Sequence, residues 1–393
     1  MQIPRLDNHE HGLGRIKIDC IKAYALTVTP PVSPVSSLGN MPVRNGALVS
    51  ITSNEGVTGW GEIWCNFPPR GNLSRLNLLQ DVIGPHLVGS EFFNYADVRP
   101  FLESRLARMA IHTGECGPFA HCLAGIDTAL ADLSARRADL SLAEYLNDSG
   151  PLKKVPVYAS APNVADLENA INDIISDGHR ATKLKVGNGL DSDRRLLEEF
   201  FRIADGQLNV CIDANQNWTR ESATQTLEAL PDTSLTFIEE PLRADAPLSD
   251  WASVAIATPT PIAGGENITS LNMFNEFLDK GVLDIVQPDV AKWGGVSGVM
   301  DVAASALKKE ASCTLHFMGT GLGLAASLQC LAAINGTGQV ELDANPNPLR
   351  TELGDINLTV TDGQLLVPNR PGIGFEPDAS ALRSMTVAEM ELA

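Results

Sequence analysis

From Val155 onward the chain repeats one pattern eight times: a short β-branched run, then a segment able to form a helix. The runs are VPVYAS (155–160), ATKLKV (181–186), LNVCID (208–213), LTFIE (235–239), TPIAG (260–264), LDIVQP (283–288), SCTLH (312–316) and QVEL (339–342). Between them lie stretches such as DSDRRLLEEFFRIA (191–204) and TSLNMFNEFLDK (269–280). Helical crossovers pair strands in parallel, whereas hairpins pair them antiparallel. An open doubly wound sheet commonly holds five or six strands, and eight close into a ring. The pattern therefore predicts an α/β fold, a (β/α)8 TIM-type barrel.

The residues ahead of the barrel have another texture. IKIDCIKAYAL (16–26), GALVSITSN (46–54) and the turn GVTGWGEIW (56–64) read as strand-like stretches. Between the first two lies TPPVSPVSSLGNMP (29–42), too rich in Pro, Ser and Gly for a helix or a central strand. Helical periodicity follows in AHCLAGIDTALADLSARRADLSLAEYL (120–146). Strands followed by helices make an α+β unit. The tail has turn residues and too little core to stand alone, so it should pack back on the N-terminal unit. The expected organisation is 1–150, α+β; 151–360, barrel; 361–393, C-terminal segment on the first unit.

A net charge of −19 excludes a protein that binds nucleic acid by displacing counterions, and disfavours anionic membranes. No apolar run approaches the roughly 20 residues of a spanning helix, and residues 1–15 carry no secretory signal. Seven scattered cysteines without a C-x-x-C pair read as reduced core residues of a cytoplasmic protein. What remains is a protein acting on something small.

Barrels of this kind place their sites at the C-terminal ends of the strands. Those ends carry Lys183 and Lys185, Asp213 followed by Asn215, Glu239-Glu240, Glu266, Asp289, His316 and Glu341. Period two puts Lys183 and Lys185 on one face. Burial and a second cation lower a lysine's pKa, which makes one of them a candidate general base; a salt-bridged pair is the competing reading. Asp213, Glu239 and Glu266 follow one another at intervals of 26 and 27 residues, one βα unit each. Three converging carboxylates need a cation, and all-oxygen ligands suit Mg²⁺ or Mn²⁺; helix capping is the alternative. Asp289 and His316 lie 27 residues apart on adjacent strands, where the carboxylate would fix the imidazole tautomer. Lys292 and Glu240 read as supporting residues.

With these motifs in order, TKLKVG (182–187), DANQNW (213–218), IEEPL (238–242), AGGEN (263–267), DIVQPDVAKWGG (284–295) and HFMGTG (316–321), the chain resembles the mandelate racemase subgroup of the enolase superfamily. The resemblance runs from the GWGE turn to the tail and makes the N-terminal unit a capping domain. It implies that Asp213, Glu239 and Glu266 hold Mg²⁺, with Mn²⁺ as a substitute. It also implies that Lys185 is the base on one face, Lys183 its pKa-tuning neighbour, and His316 with Asp289 the acid/base dyad on the other. Glu341 matches a residue bonded to the substrate carboxylate, and Asn215 a polar substrate contact. The segment 29–42 and the loop CNFPPRGN (65–72) look like cap loops that select the substrate, and relatives imply a homo-oligomer. The region after His316, with ELDANPNPLR and PGIGFEPD, is similar to sugar-acid members, including lactone cycloisomerases.

The implied chemistry is abstraction of the proton alpha to a carboxylate to give an enediolate. The leading expectation is dehydration of a sugar acid to a 2-keto-3-deoxy acid. Alternatives are cycloisomerisation of a sugar-acid lactone, and racemisation or epimerisation of a 2-hydroxy acid. More distant ones are a Schiff-base aldolase using Lys185, which leaves the three carboxylates without a role, and a non-catalytic binding protein.

Overall fold

The computed structural model describes residues 15–33, 35–36, 39–162, 164–229 and 235–393. Each of the eight runs overlaps a strand: Lys154–Ser160, Ala181–Lys185, Asn209–Asp213, Leu235–Glu239, Ile262–Gly264, Ile285–Val286, Ser312–Cys313 and Val340–Asp343. Numbered one to eight, they pair in parallel in the order seven-six-five-four-three-two-one-eight. The ring closes between eight and seven, where Leu315 N–H donates to Gln339 O at 2.8 Å and Glu341 N–H to Leu315 O at 3.0 Å. Strands six and seven are only two residues long, shorter than their apolar runs.

Period two then sorts each strand into an outer and an inner face. Outward residues such as Leu184, Ile212, Ile238 and Val286 join the main core beneath the helices. Inward residues Tyr158, Ala181, Cys211, Phe237 and Ala263 form a separate apolar plug inside the ring. Two residues further along the same faces stand Ser160, Lys183, Asp213 and Glu239, and Lys185 two beyond Lys183. The plug therefore floors a polar layer at the C-terminal mouth.

The cap is an antiparallel sheet of Ile16–Val28, Arg44–Ser53 and Thr58–Glu62. Thr386–Leu392, the last strand of the chain, pairs with the free side of Ile16–Val28. The intervening Gln364–Leu366 pairs instead with barrel strand one, so the segment from 361 starts on the barrel and reaches the cap sheet only near its end. The helix Cys116–Arg137 lies against the sheet so closely that a side chain at Gly61 would strike the carbonyl of Gly125. The apolar period over 120–146 is not one helix. It breaks after Arg137, with Asp139 in the left-handed region, and restarts as Leu142–Leu146. Ser141 and Glu144 there form a capping box, a signal present in the sequence.

All seven cysteines are free; five are buried, whereas Cys116 is exposed and Cys20 partly so. Among the described residues no helix is long and apolar enough to cross a membrane. The reading of residues 1–15 as free of a signal falls almost wholly outside the described residues, as do positions 34, 37 and 38 of the segment 29–42.

Buried acids stitch cap to barrel. Asp127, on the cap helix, accepts from Ser297 N–H at 2.8 Å and Ser297 Oγ at 2.5 Å, at the start of the barrel helix Gly295–Lys308. Burial pushes its carboxyl up to about 7, against the pull of the Ser297 bonds and Arg99, with Asp301 adding to the rise. A raised folded pKa contributes stability that is present at low pH and lost as pH rises through the folded value. Between pH 5 and 8 the native protein should therefore lose about 3 kcal/mol relative to Asp127→Asn. Urea midpoints of the two proteins across that range check the sign; a gap that moves the other way refutes it.

Candidate active site

The mouth gathers the residues expected at the strand ends. Lys183, fully buried, donates to Glu239 Oε1 at 2.7 Å, lies 2.7 Å from Glu341 Oε1 and 3.6 Å from Asp213 Oδ2. Lys185, whose side chain is 34% exposed, reaches the same Asp213 oxygen at 2.5 Å. His316 donates through Nδ1 to Asp289 Oδ2 at 2.7 Å, and its Nε2 meets Glu266 Oε2. Glu341 Oε1 also accepts from Ser160 Oγ, and its second oxygen is buried without a hydrogen-bond partner, 3.6 Å from His316 Nε2.

Strained backbone shapes the rim. Asn215, Gln216 and Glu240 all have positive φ, directly after strands three and four. The turn folds Asn215 back, so its backbone N–H and its Nδ2 both donate to the Asp213 carboxylate, at 2.7 and 2.9 Å. Asn215 therefore holds Asp213 in place.

The lysines differ from expectation in the direction of their pKa. Burial alone lowers a lysine, but Glu239, Glu341 and Asp213 more than offset it and hold Lys183 well above its usual value. Lys185 is likewise raised, burial being outweighed mainly by Asp213. Counter-charge wins because each ammonium touches a carboxylate, which also outweighs the pull of Lys183 on Lys185. His316 follows the same logic: burial lowers it, and Glu266, Glu341 and Asp289 raise it well above the usual imidazole value. Burial pushes Glu239 up to about 7. Against the same burial, Lys185 and Lys183 bring Asp213 down, and His316 and Lys292 take Glu266 well down. Glu341 is also lowered, with Lys183 and His316 overcoming burial, so it is an acceptor here.

Lys292 and Glu240, expected as supports, are part of the cluster. Glu240 takes two bonds from Asn267 Nδ2, at 2.8 and 3.1 Å, and Lys292 Nζ donates to Asn267 Oδ1 at 2.8 Å. Lys292 also lies 3.6 Å from Glu266 and 4.8 Å from the centre of the Trp64 ring, which the cap supplies. Gln287, two residues before Asp289, donates to Glu239 Oε2 at 2.6 Å. Gln287 and Ser160 were not anticipated, although inward strand parity points to both. From the loop 65–72, Asn66 Nδ2 donates to Met318 O at 2.9 Å.

Among the described residues no three His, Cys, Asp or Glu side chains close on a common point. Asp213, Glu239 and Glu266 each turn to a cation of the chain. The cluster nevertheless holds more carboxyl groups than cationic side chains: Asp213, Glu239, Glu240, Glu266, Asp289 and Glu341 face Lys183, Lys185, Lys292 and His316. A buried excess of carboxylate oxygen fits a hard divalent cation.

Comparison with known proteins agrees with this architecture. The family described as Enolase C-terminal domain-like matches residues 166–381, and the Mandelate racemase / muconate lactonizing enzyme N-terminal domain matches 20–147. The chain belongs to the mandelate racemase/muconate lactonizing enzyme family of the enolase superfamily, whose members are lyases and isomerases. It is 28% identical over 354 residues to D-galactarolactone cycloisomerase of Agrobacterium fabrum, covering 86% of this chain and 90% of that one. It is 27% identical to arabinonate dehydratase of Saccharolobus solfataricus over 70% of this chain and 74% of that one. A solved mandelate racemase/muconate lactonizing enzyme from Bordetella bronchiseptica RB50 superposes with a TM-score of 0.87 at 37% identity, covering 94% of this chain and 99% of that one. A racemase from Streptomyces coelicolor A3(2) with bound magnesium superposes at 0.83 with 26% identity, covering 94% and 100%.

Proposed function

We propose that this protein removes the proton alpha to the carboxylate of a sugar acid and expels the β-hydroxyl, giving a 2-keto-3-deoxy acid. The observation that carries the reading is the placement of two proton carriers on either side of three carboxylates. Lys185 stands on Asp213, His316 on Glu266, and Glu239 lies between them on strand four. A substrate carboxylate lying over this row would present one face of its α-carbon to each carrier.

Asp213, Glu239 and Glu266 would hold Mg²⁺ or Mn²⁺. A divalent cation there would supply charge for the electrons gathering on the substrate carboxylate, and would replace Lys185 as the partner of Asp213. Lys183, pinned by Glu239 and Glu341, is the fixed cation of the floor. Freed of Asp213, which holds its pKa up, Lys185 can lose its proton to solvent, and the neutral amine can then take the α-proton. His316, held as the imidazolium by Asp289, can deliver a proton to the departing hydroxyl, which leaves as water. The electron pair of the broken C–H bond becomes the new double bond, and the enol then becomes the ketone. The cap, residues 1–150 with the end of 361–393, would close the mouth and choose the acid.

A second reading is supported by the likeness to a galactarolactone cycloisomerase along nine-tenths of that enzyme. There the oxygen expelled would belong to a lactone ring. A Schiff-base role for Lys185 fits less well, since it leaves Asp213, Glu239 and Glu266 without a role. The test is a proton NMR screen of sugar acids and their lactones in D₂O with Mg²⁺, repeated with a chelator. Deuterium at the α-carbon with a new 3-deoxy signal, both lost on chelation, is the expected result. Turnover that survives the chelator, or no exchange with any acid, refutes the reading.

A further inference from the structure

His316 lies three residues beyond strand seven, and the four residues after it form a turn into the helix Gly321–Ile334. The turn is held at Met318, Gly319 and Thr320, and most of these bonds come from the cap. Asn66 bonds Met318 O; Asn347, from the barrel, bonds Gly319 O at 2.9 Å. The strongest anchor is Glu62, the last residue of the cap strand Thr58–Glu62. Its carboxylate accepts from Thr320 N–H at 2.9 and 3.1 Å, from Thr320 Oγ1 at 2.6 Å and from Gly323 N–H at 3.1 Å. An acid at a helix N-terminus meets unpaired N–H groups and the positive end of the dipole, so the site favours a carboxylate specifically.

Glu62 is buried, no cationic side chain pairs with it among the described residues, and burial pushes it up to about 7 with Asp289 adding to the rise. A side chain at Gly319 would run into the Glu62 carboxylate and the Phe317 ring, so the turn is built around this acid. A buried charge is a costly way to join two domains, and an apolar contact would serve better for stability alone.

We propose that Glu62 is a positioning residue for His316: by clamping the turn 316–320 from the cap, it sets the imidazole against Asp289 and Glu266. The inference rests on the reading of His316 as the proton carrier of one face. It makes that face depend on a docked cap, while Lys185, on a strand the cap does not clamp in this way, is independent of Glu62.

The test uses the full chain with Glu62→Gln, and with Thr320→Val in case the first variant folds poorly. Imidazole proton–nitrogen spectra, with the His316 signal identified by its loss in His316→Asn, read position directly. The variants should shift or broaden the His316 signal and leave His121 and His179 in place. With an acid the enzyme accepts, deuterium exchange on the His316 face should fall at least tenfold, and on the Lys185 face by less than twofold. An unmoved His316 signal overturns the proposal, as do equal losses on both faces. A native protein that exchanges no acid refutes the functional reading, while the imidazole spectra still decide the role of Glu62.

Discussion

Replacing Lys185 by Ala, or His316 by Asn, is expected to lower turnover by about 10²–10⁴-fold, the range of a lost general acid or base. The two losses should differ in kind. Lys185 and His316 rest on different carboxylates, at the two ends of the row formed by strands three to five. Each variant should therefore retain α-deuterium exchange for substrates presenting the opposite face. Mg²⁺ binding should persist in both, because neither side chain is among the oxygen donors. Lys185→Ala also removes the ammonium that competes for Asp213 at 2.5 Å, so its Mg²⁺ affinity should not fall. Exchange in D₂O and calorimetric Mg²⁺ titration check these results. Loss of exchange on both faces in either variant would mean that the two carriers do not act separately.

Much of this site was legible because one rule governs it. Strand ends at a barrel mouth, read with period two, point to Lys183, Lys185, Asp213, Glu239, Glu266, Asp289, His316 and Glu341, and the fold brings all eight together. The same rule applied to strand one would have found Ser160, and applied to strand six, Gln287. Pairing was less legible than membership. Spacing says that Lys183 and Asp213 share a mouth; only coordinates say that Glu239 and Glu341 both touch Lys183 and reverse its pKa shift. Asn215 is a similar case, since its left-handed backbone turns the amide onto Asp213. Contacts between domains were hidden altogether. Glu62 and Thr320 are 258 residues apart, and no local pattern connects a GWGE turn to the turn after His316.

Lys183→Met is expected to destabilise the protein by about 3–5 kcal/mol, the cost of leaving buried charges without their partner. The side chain is fully buried, and its ammonium is shared among Glu239, Glu341 and Asp213, the first two at 2.7 Å. Methionine fills a similar volume, so packing is nearly kept and charge is what changes. Glu239, already pushed up to about 7 by burial with Lys183 present, would rise further and take up a proton. The variant should therefore lose more stability at high pH than at low pH, where the carboxyl groups are neutral. Mg²⁺ should return part of the loss, rising with the logarithm of its concentration, because a cation bound only by the folded state stabilises by mass action. Urea midpoints at pH 6 and 8, with and without Mg²⁺, measure all three effects. A variant as stable as the native protein in chelator would show that Lys183 is not the cation on which the carboxylate floor depends.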